Sequence, residues 1–267
     1  MSRVALVQMV SGADAGRNLQ QAAEGVSKAK SLGAKLVLLP ENFLLFDSAN
    51  LVSFAHSLRS ADAFEALATL ARKESIWIVA GSFPAPATQG RAYARSLVLN
   101  DSGELVCQYD KRHLFDVDVS DAKGAYRESS WIAPGDALSV CATPLGQLGL
   151  SICYDLRFAQ HYQRLRAMGA QLLSVPSAFT QVTGEAHWEV LLRARAIETQ
   201  CYVLGAGQGG DHGNNRHTYG HSMIVDPWGR VVAKANPQGF DVISAEIDLN
   251  ELQRIREQMP VEQQRRD

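Results

Sequence analysis

Short apolar runs and stretches of helical period alternate along this chain. Runs rich in β-branched and aliphatic residues occur at 4–10, 35–39, 76–81, 96–100, 105–110, 147–153, 171–175, 201–205, 221–226 and 231–234. Several are apolar at every position, which suits strands covered on both faces better than strands with one wet face. Between them, residues 18–32 place Leu19, Ala22, Ala23, Val26 and Ala29 near one stripe, and Gly33 follows as a helix stop. Residues 61–72 repeat that pattern with Phe64, Leu67, Ala68 and Ala71, and 158–168 form a third stretch closed by Gly169. A fourth helix carries Trp188, Leu191, Leu192, Arg195, Ala196 and Thr199 on one stripe. Its Arg193 and Arg195 form a flank that either meets a second subunit or is simply solvated. Asp101-Ser102-Gly103, Pro144-Leu145-Gly146 and Asp226-Pro227-Trp228-Gly229 are turn sequences suited to hairpins. Strands alternating with helices, then hairpins, predict a mixed α/β layer fold. No Pro/Ser-rich linker or charge block divides the chain, so one domain is expected over 1–267, with its core at about 3–258 and a polar tail at 259–267.

Composition removes whole classes of function. The 26 basic and 28 acidic side chains leave a formal charge of −2, which supplies no broad cationic surface for nucleic acid or anionic lipid. No apolar run approaches the roughly 18 residues that a membrane span requires. The N-terminal apolar run reaches Gln8 too soon for a secretory segment. Cys107, Cys141, Cys153 and Cys201 are scattered without a C-x-x-C pair or framework spacing. These features predict a soluble, cytoplasmic protein with reduced thiols.

Three residues with useful chemistry each stand just past a strand-like run. Cys153 ends Gly149-Leu150-Ser151-Ile152 and precedes a helical pattern. Free backbone N–H groups at a helix start favour a thiolate and can also hold an oxyanion. Without partners, Cys153 reads equally well as a buried structural thiol. Glu41 follows Leu36-Val37-Leu38-Leu39-Pro40, at the sheet end where open α/β folds place their sites, although a loop carboxylate or N-cap would sit there too. Lys111 follows the run 105–110, and taken alone it is an ordinary surface lysine. Together the three supply a nucleophile, a base and a cation for a developing oxyanion.

The surrounding sequence resembles a known family. Leu39-Pro40-Glu41-Asn42-Phe43, Tyr109-Asp110-Lys111-Arg112-His113 and Gly149-Leu150-Ser151-Ile152-Cys153-Tyr154-Asp155-Leu156-Arg157-Phe158 are similar to the signature blocks of the nitrilase, or carbon–nitrogen hydrolase, superfamily. Glu41 and Lys111 are 70 residues apart and Lys111 and Cys153 42 apart, as in that family. The segments 176–200 and 219–229 resemble its Nit branch. The resemblance runs from about Val4 to Pro260. It implies a four-layer αββα sandwich with mixed sheets, pairing through the helices after the cysteine into a homodimer or higher homo-oligomer. It implies Cys153 as nucleophile, Glu41 as general base, Lys111 as oxyanion-side cation and Glu128 as the second glutamate that positions Lys111. The Tyr154 N–H is the second oxyanion donor, while Arg157, Phe179 and Thr183 surround the α-keto acid end of the substrate. The expected reaction is cofactor- and metal-free hydrolysis of the primary amide of a small α-keto amide, releasing ammonia through a thioester. Deaminated glutathione is the first choice of substrate and α-ketoglutaramate the second. Family members typically extend further past Arg265-Arg266 than this sequence does.

Three decoys compete. Gly205-Ala206-Gly207-Gln208-Gly209-Gly210 matches G-x-G-x-x-G, but the polar stretch 211–217 behind it lacks the helix that a dinucleotide site needs. His212, His217 and His221 could suggest a metal cluster, although Tyr219-Gly220 interrupts any helix that would align them. A papain-like pairing of Cys153 with His113 or His187 is conceivable without that family's local signature. A catalytically silent binding protein that keeps the fold is the remaining alternative.

Overall fold

Along β1 (Ser2–Gln8), Val4 and Leu6 enter one hydrophobic core while Ala5 and Val7 enter another. That alternation is the period-two pattern of a strand buried on both faces. The computed structural model describes residues 2–120, 124–213 and 215–266; Met1, Asn214 and Asp267 lie outside them, so the loop and tail expectations that include the last two apply only to their described neighbours. The first half continues with α1 (Ala15–Ser31), β2 (Ala34–Leu38), α2 (Leu51–Ala55), α3 (Leu58–Glu74), β3 (Trp77–Pro86), β4 (Ala92–Leu99), β5 (Leu105–Asp110), β6 (Asp116–Asp118) and β7 (Ala125–Arg127). The second half contains β8 (Val140–Thr143), β9 (Gly146–Leu150), α4 (Ala159–Ala167), β10 (Leu172–Ser174), α5 (Gln181–Thr199) and β11 (Tyr202–Gly205). It ends with β12 (Gly209–Asp211), β13 (His217–Tyr219), β14 (Met223–Val225), β15 (Val231–Lys234), β16 (Asp241–Ile247), α6 (Leu249–Gln258) and α7 (Val261–Gln264).

Two six-stranded sheets follow one plan. The first has the order β16-β1-β2-β3-β4-β5, and the second β15-β14-β11-β10-β9-β8. In each, three central strands run parallel and the outer ones are antiparallel. Leu36, Leu38, Val79 and Val98 of the first sheet share a core with Leu148, Leu150, Leu172 and Leu204 of the second. Val26, Leu67 and Ala71 of α1 and α3 cover the other face of the first sheet, against Val37, Leu39 and Ile78. Leu165 of α4 and Trp188 and Leu192 of α5 cover the second. The layers are therefore αββα, as expected, with mixed sheets.

The helices begin where the chain can cap them. Asp14 Oδ1 accepts from the N–H groups of Gly16 and Arg17 at the start of α1, and Thr180 Oγ1 accepts from Thr183 N at the start of α5. Gly81 is required by close approach: a Cβ there would fall 2.1 Å from the Pro40 carbonyl oxygen, just before Glu41.

Several boundaries differ from the sequence reading. β3 runs on to Pro86 through a register shift between Ala80 and Phe83, and β4 starts at Ala92. His221 adopts φ 53° and stands outside β14. β16 and α6 escape the periodic reading because their stripes are diluted by Asp241, Ser244 and Glu246, and by Asn250, Gln253 and Arg254. Arg195 is not a solvated flank. Its guanidinium is buried and donates through Nε and Nη2 to the Leu156 carbonyl at 3.0 and 2.9 Å, which ties α5 to the segment after Cys153. The tail is held as well: Gln200 Nε2 donates to the Met259 carbonyl at 2.7 Å, and α7 follows.

Candidate active site

Glu41 and Lys111 leave the same ends of their strands in the first sheet, and backbone bonds fix both. Asn42 has φ 55° and donates its N–H to Ser82 Oγ at 2.7 Å, which turns the chain directly after Glu41. The Glu41 carbonyl accepts from Gln208 Nε2 at 3.0 Å, and Lys111 N donates to Ala94 O at 3.0 Å. The Lys111 ammonium donates to Glu41 Oε1 at 2.8 Å and to both oxygens of Glu128 at 2.9 Å. Glu128 Oε2 also accepts from Phe115 N at 2.7 Å. Burial would lower the Lys111 pKa, but the charges of Glu128 and Glu41 overcome it and hold the ammonium well above its usual range. Burial, together with the Glu41 charge, raises the Glu128 carboxyl despite Lys111.

Cys153 comes from the second sheet, three residues after β9. It has φ 47°, a left-handed conformation that is strained for a residue with a side chain. Its own N–H is spent on the Pro176 carbonyl at 2.9 Å. The strain is held by the buried Asp155, which accepts from Ile152 N at 2.9 Å, Tyr109 Oη at 2.6 Å, His113 N at 3.0 Å and His113 Nδ1 at 2.6 Å. The Cys153 thiol and the Glu41 carboxylate line the same cavity and interact electrostatically. Residues 153–157 form a single 3-10 turn, and α4 starts only at Ala159. The expected helix-dipole activation of the thiol is thus corrected: burial, then the Glu41 charge, push the Cys153 pKa well above its usual value, and Lys111 only partly opposes them. A thiol in that condition needs a base, and Glu41 shares its cavity. The Tyr154 N–H has no acceptor among the described residues, leaving it free for an incoming oxygen.

Glu41, Lys111, Glu128, Cys153 and Tyr154 line one cavity of about 250 Å³, together with Arg157, Phe179 and Thr183. Arg157 lies over the rings of Tyr154 and Phe179, at 5.7 and 5.4 Å, and its Nη1 meets His187 Nδ1 at 3.2 Å. The cavity therefore combines thiol, carboxylates, ammonium and guanidinium within walls of mixed polar and apolar character.

A family model for carbon-nitrogen hydrolases matches residues 3–257. The chain belongs to the carbon–nitrogen hydrolase family. Among curated relatives of this hydrolase, a protein named deaminated glutathione amidase from Yersinia enterocolitica is 45% identical over 270 residues, covering 99% of this chain and 93% of that one. Among solved structures, Saccharomyces cerevisiae Nit3, described as a member of branch 10 of the nitrilase superfamily, superposes with a TM-score of 0.87 at 33% identity, covering 100% of this chain and 97% of that one. A Nesterenkonia amidase mutant, solved with the acetamide moiety of fluoroacetamide added covalently at its active-site cysteine, has a TM-score of 0.81 at 26% identity, covering 97% of this chain and 95% of that one.

The decoys dissolve in this carbon–nitrogen hydrolase. The glycine-rich segment leads into the hairpin β12–β13, with no helix behind it. Its Gln208 is a brace that bonds Ser11 N, Ser11 Oγ and the Glu41 carbonyl. Both ring nitrogens of His212 are engaged, with Ser11 O and Thr218 Oγ1, so it does not join His217 and His221 at a metal. His113 pairs with Asp155 and His187 with Arg157, so neither serves Cys153. His113, Asp155 and His161 do bring ligand atoms within 4.8 Å of one another. Asp155 already accepts four hydrogen bonds there, and His161 Nε2 meets the Leu150 carbonyl, which fits a clamp beneath Cys153 better than an open metal site. Sequence reasoning missed Phe46, Tyr126, Trp131, His212 and Arg216 on the cavity wall. Tyr126 comes from the three-residue strand β7 and the others from loops, none with a readable periodicity.

Proposed function

We propose that this amide-hydrolysing enzyme cuts deaminated glutathione by covalent catalysis at Cys153. The observation that carries the reading is that the buried residues Cys153, Lys111 and Glu41 line one cavity, with Lys111 bonded to Glu41. Cys153 Sγ attacks the amide carbonyl while Glu41 takes the thiol proton. The Lys111 ammonium and the Tyr154 N–H receive the oxyanion, and Glu128 holds Lys111 from its other side. Glu41 then protonates the departing nitrogen, leaving a thioester. A water deprotonated by Glu41 attacks that thioester, the C–S bond breaks, and the thiol regains its proton. The resting thiol is raised in pKa, so general-base assistance is needed at the first step. No step calls for a metal or an organic cofactor.

The substrate follows from the cavity and the relatives. Arg157, braced by two rings and without an acidic partner among the described residues, suits the α-keto carboxylate, with Phe179 and Thr183 beside it. In deaminated glutathione, the bond to be cut joins a 2-oxoglutaryl carbonyl to the cysteinyl nitrogen. The leaving group is therefore the amine of cysteinylglycine, and the ammonia expected from the sequence belongs to the alternative substrate, α-ketoglutaramate. The test is to quench turnover with acid and weigh the protein. A 2-oxoglutaryl adduct on Cys153 is expected, together with loss of turnover in Cys153→Ala; full activity in that variant would overturn the assignment.

The same proposal takes the protein as a cytoplasmic homodimer. No described helix is long and apolar enough to cross a membrane, and all four cysteines are free. Val190 and Ile197 expose 67% and 51% on one side of α5, and Trp228 exposes 52% just before Gly229, which faces Ile197. An apolar patch of that kind on a helix supports pairing with a second copy.

A further inference from the structure

Arg216 is the cavity's second guanidinium, and no part of the reaction above uses it. It sits before β13 on the hairpin that follows the glycine-rich segment. Its Nη2 donates to the Ala178 carbonyl at 2.9 Å, and its Cζ lies 4.7 Å from the Tyr126 ring centroid and 5.7 Å from that of Phe46. Phe46 is stacked in turn on His212, at 3.9 Å. The side chain is thus fixed in place by a carbonyl and two rings, all belonging to residues that line the cavity. Its charge is unmatched: no carboxylate lies within 4.0 Å of it among the described residues. Nη1 is shielded from solvent and has no acceptor among the described residues.

An arginine held this way beside a cavity is poised for an anion that the described residues do not supply. A guanidinium N–H without an acceptor is unfavourable until one arrives. The neighbouring groups do not supply one. His212 is kept neutral by burial, its pKa lowered to about 4, and the Asp47 carboxylate is spent on Ala49 N and Asn50 Nδ2. At the reactive end, Lys111 is already matched by Glu41 and Glu128. Arg157 and Arg216, cavity cations without a carboxylate partner among the described residues, both contact the loop after β10. Arg157 rests over the Phe179 ring, and Arg216 grips the carbonyl of the preceding Ala178.

We propose that Arg216 is a specificity-determining residue that binds a second substrate carboxylate, carried on the leaving-amine side of the scissile amide. The inference rests on the substrate reading above and deepens it: the preferred substrate is a dicarboxylate, with its acyl-side carboxylate at Arg157 and its amine-side carboxylate at Arg216. In a cysteinylglycine leaving group, the terminal carboxylate lies about 6 Å from the scissile nitrogen in extended form. An ammonia leaving group has nothing to place there. Arg216 contributes binding in both ground and transition states, so its loss acts on KM more than on kcat.

The experiment compares deaminated glutathione, its C-terminal glycine carboxamide and α-ketoglutaramate as substrates of the full-length enzyme. Wild type is expected to lose tenfold or more in kcat/KM, mainly through KM, on passing from the free acid to the carboxamide. In Arg216→Gln that acid-to-amide ratio falls to near one, and in Arg216→Lys it recovers in part. The ratio of activity on deaminated glutathione to that on α-ketoglutaramate falls about tenfold in the glutamine variant. Equal wild-type rates on acid and carboxamide overturn the role of Arg216 while leaving the substrate reading intact, and need no variant that folds. A uniform loss on all three substrates also overturns it, leaving Arg216 as a prop for Ala178. A wild type that cuts α-ketoglutaramate but neither longer substrate overturns the substrate reading itself, and this proposal with it.

Discussion

The Lys111 ammonium lies 2.8 Å from Glu41 Oε1, with only 1% and 5% of the two side chains exposed. With Glu128 on its other side, it is one cation between two carboxylates. Replacing it leaves two buried acids facing each other, and one must take up a proton. Lys111→Met is therefore expected to lose more than a hundredfold in kcat, since an oxyanion-side donor is removed. The variant should also lose about 3–5 kcal/mol of stability, the usual result of breaking a buried pair from one side. Urea unfolding followed beside steady-state rates checks both, and a fully stable, fully active variant would exclude this role.

Asp155 makes a separate statement about pH. Burial alone would raise its carboxyl, but the hydrogen bond from His113, the charge of His161 and the Tyr109 hydroxyl hold it below the ordinary 3.8. A carboxylate lowered on folding stabilises the protein above its unfolded pKa, and that contribution is lost as pH falls through the folded value. Wild type is thus expected to exceed Asp155→Asn by about 1.5–3 kcal/mol at pH 7, the range for a hydrogen bond to a charged group. The gap should narrow below about pH 4 as the wild-type carboxyl protonates. Denaturant midpoints of both proteins at pH 7, 5 and 3 test the sign. A gap that widens in acid would contradict the clamp.

Two cysteines that look unrelated in sequence meet at the edges of the two sheets. Cys107 on β5 and Cys141 on β8 are close enough for each thiol to shift the other's pKa, and Ser139 Oγ donates to the Gln108 carbonyl at 2.8 Å beside them. The Cys141 thiol outweighs burial and lowers the Cys107 pKa to about 7, whereas Cys153 is raised. Because the thiolate is what reacts, iodoacetamide at pH 7 is expected to modify Cys107 before Cys153 in the substrate-free protein. Cys141→Ala should move the Cys107 labelling profile towards ordinary thiol pH. Peptide mapping after timed alkylation gives the order.

Much of the architecture was legible because strands buried on both faces leave long apolar runs, and the three reactive residues each close such a run. The turn sequences at 101–103, 144–146 and 226–229 lie between the antiparallel pairs β4–β5, β8–β9 and β14–β15. Illegible were features made by contacts between distant segments. Nothing local to Arg195 marks it as buried against Leu156, and nothing local to Arg216 points to Tyr126. The Cys153 pKa was misjudged because its local turn argues for a thiolate, whereas the acid that opposes it comes from the other sheet. The topology shared by the two sheets was likewise invisible, since it resides in pairing order rather than in any repeated residue pattern.

Glu41 and Lys111 hang from the first sheet and Cys153 from the second, so the proposed base and the proposed nucleophile are carried by opposite halves of the sandwich. Slippage at the apolar seam of Leu36, Leu38, Leu148 and Leu150 would part them before either sheet lost a strand. Reactivity in this molecule is thus a property of the seam, and a fragment retaining either half intact would be chemically mute.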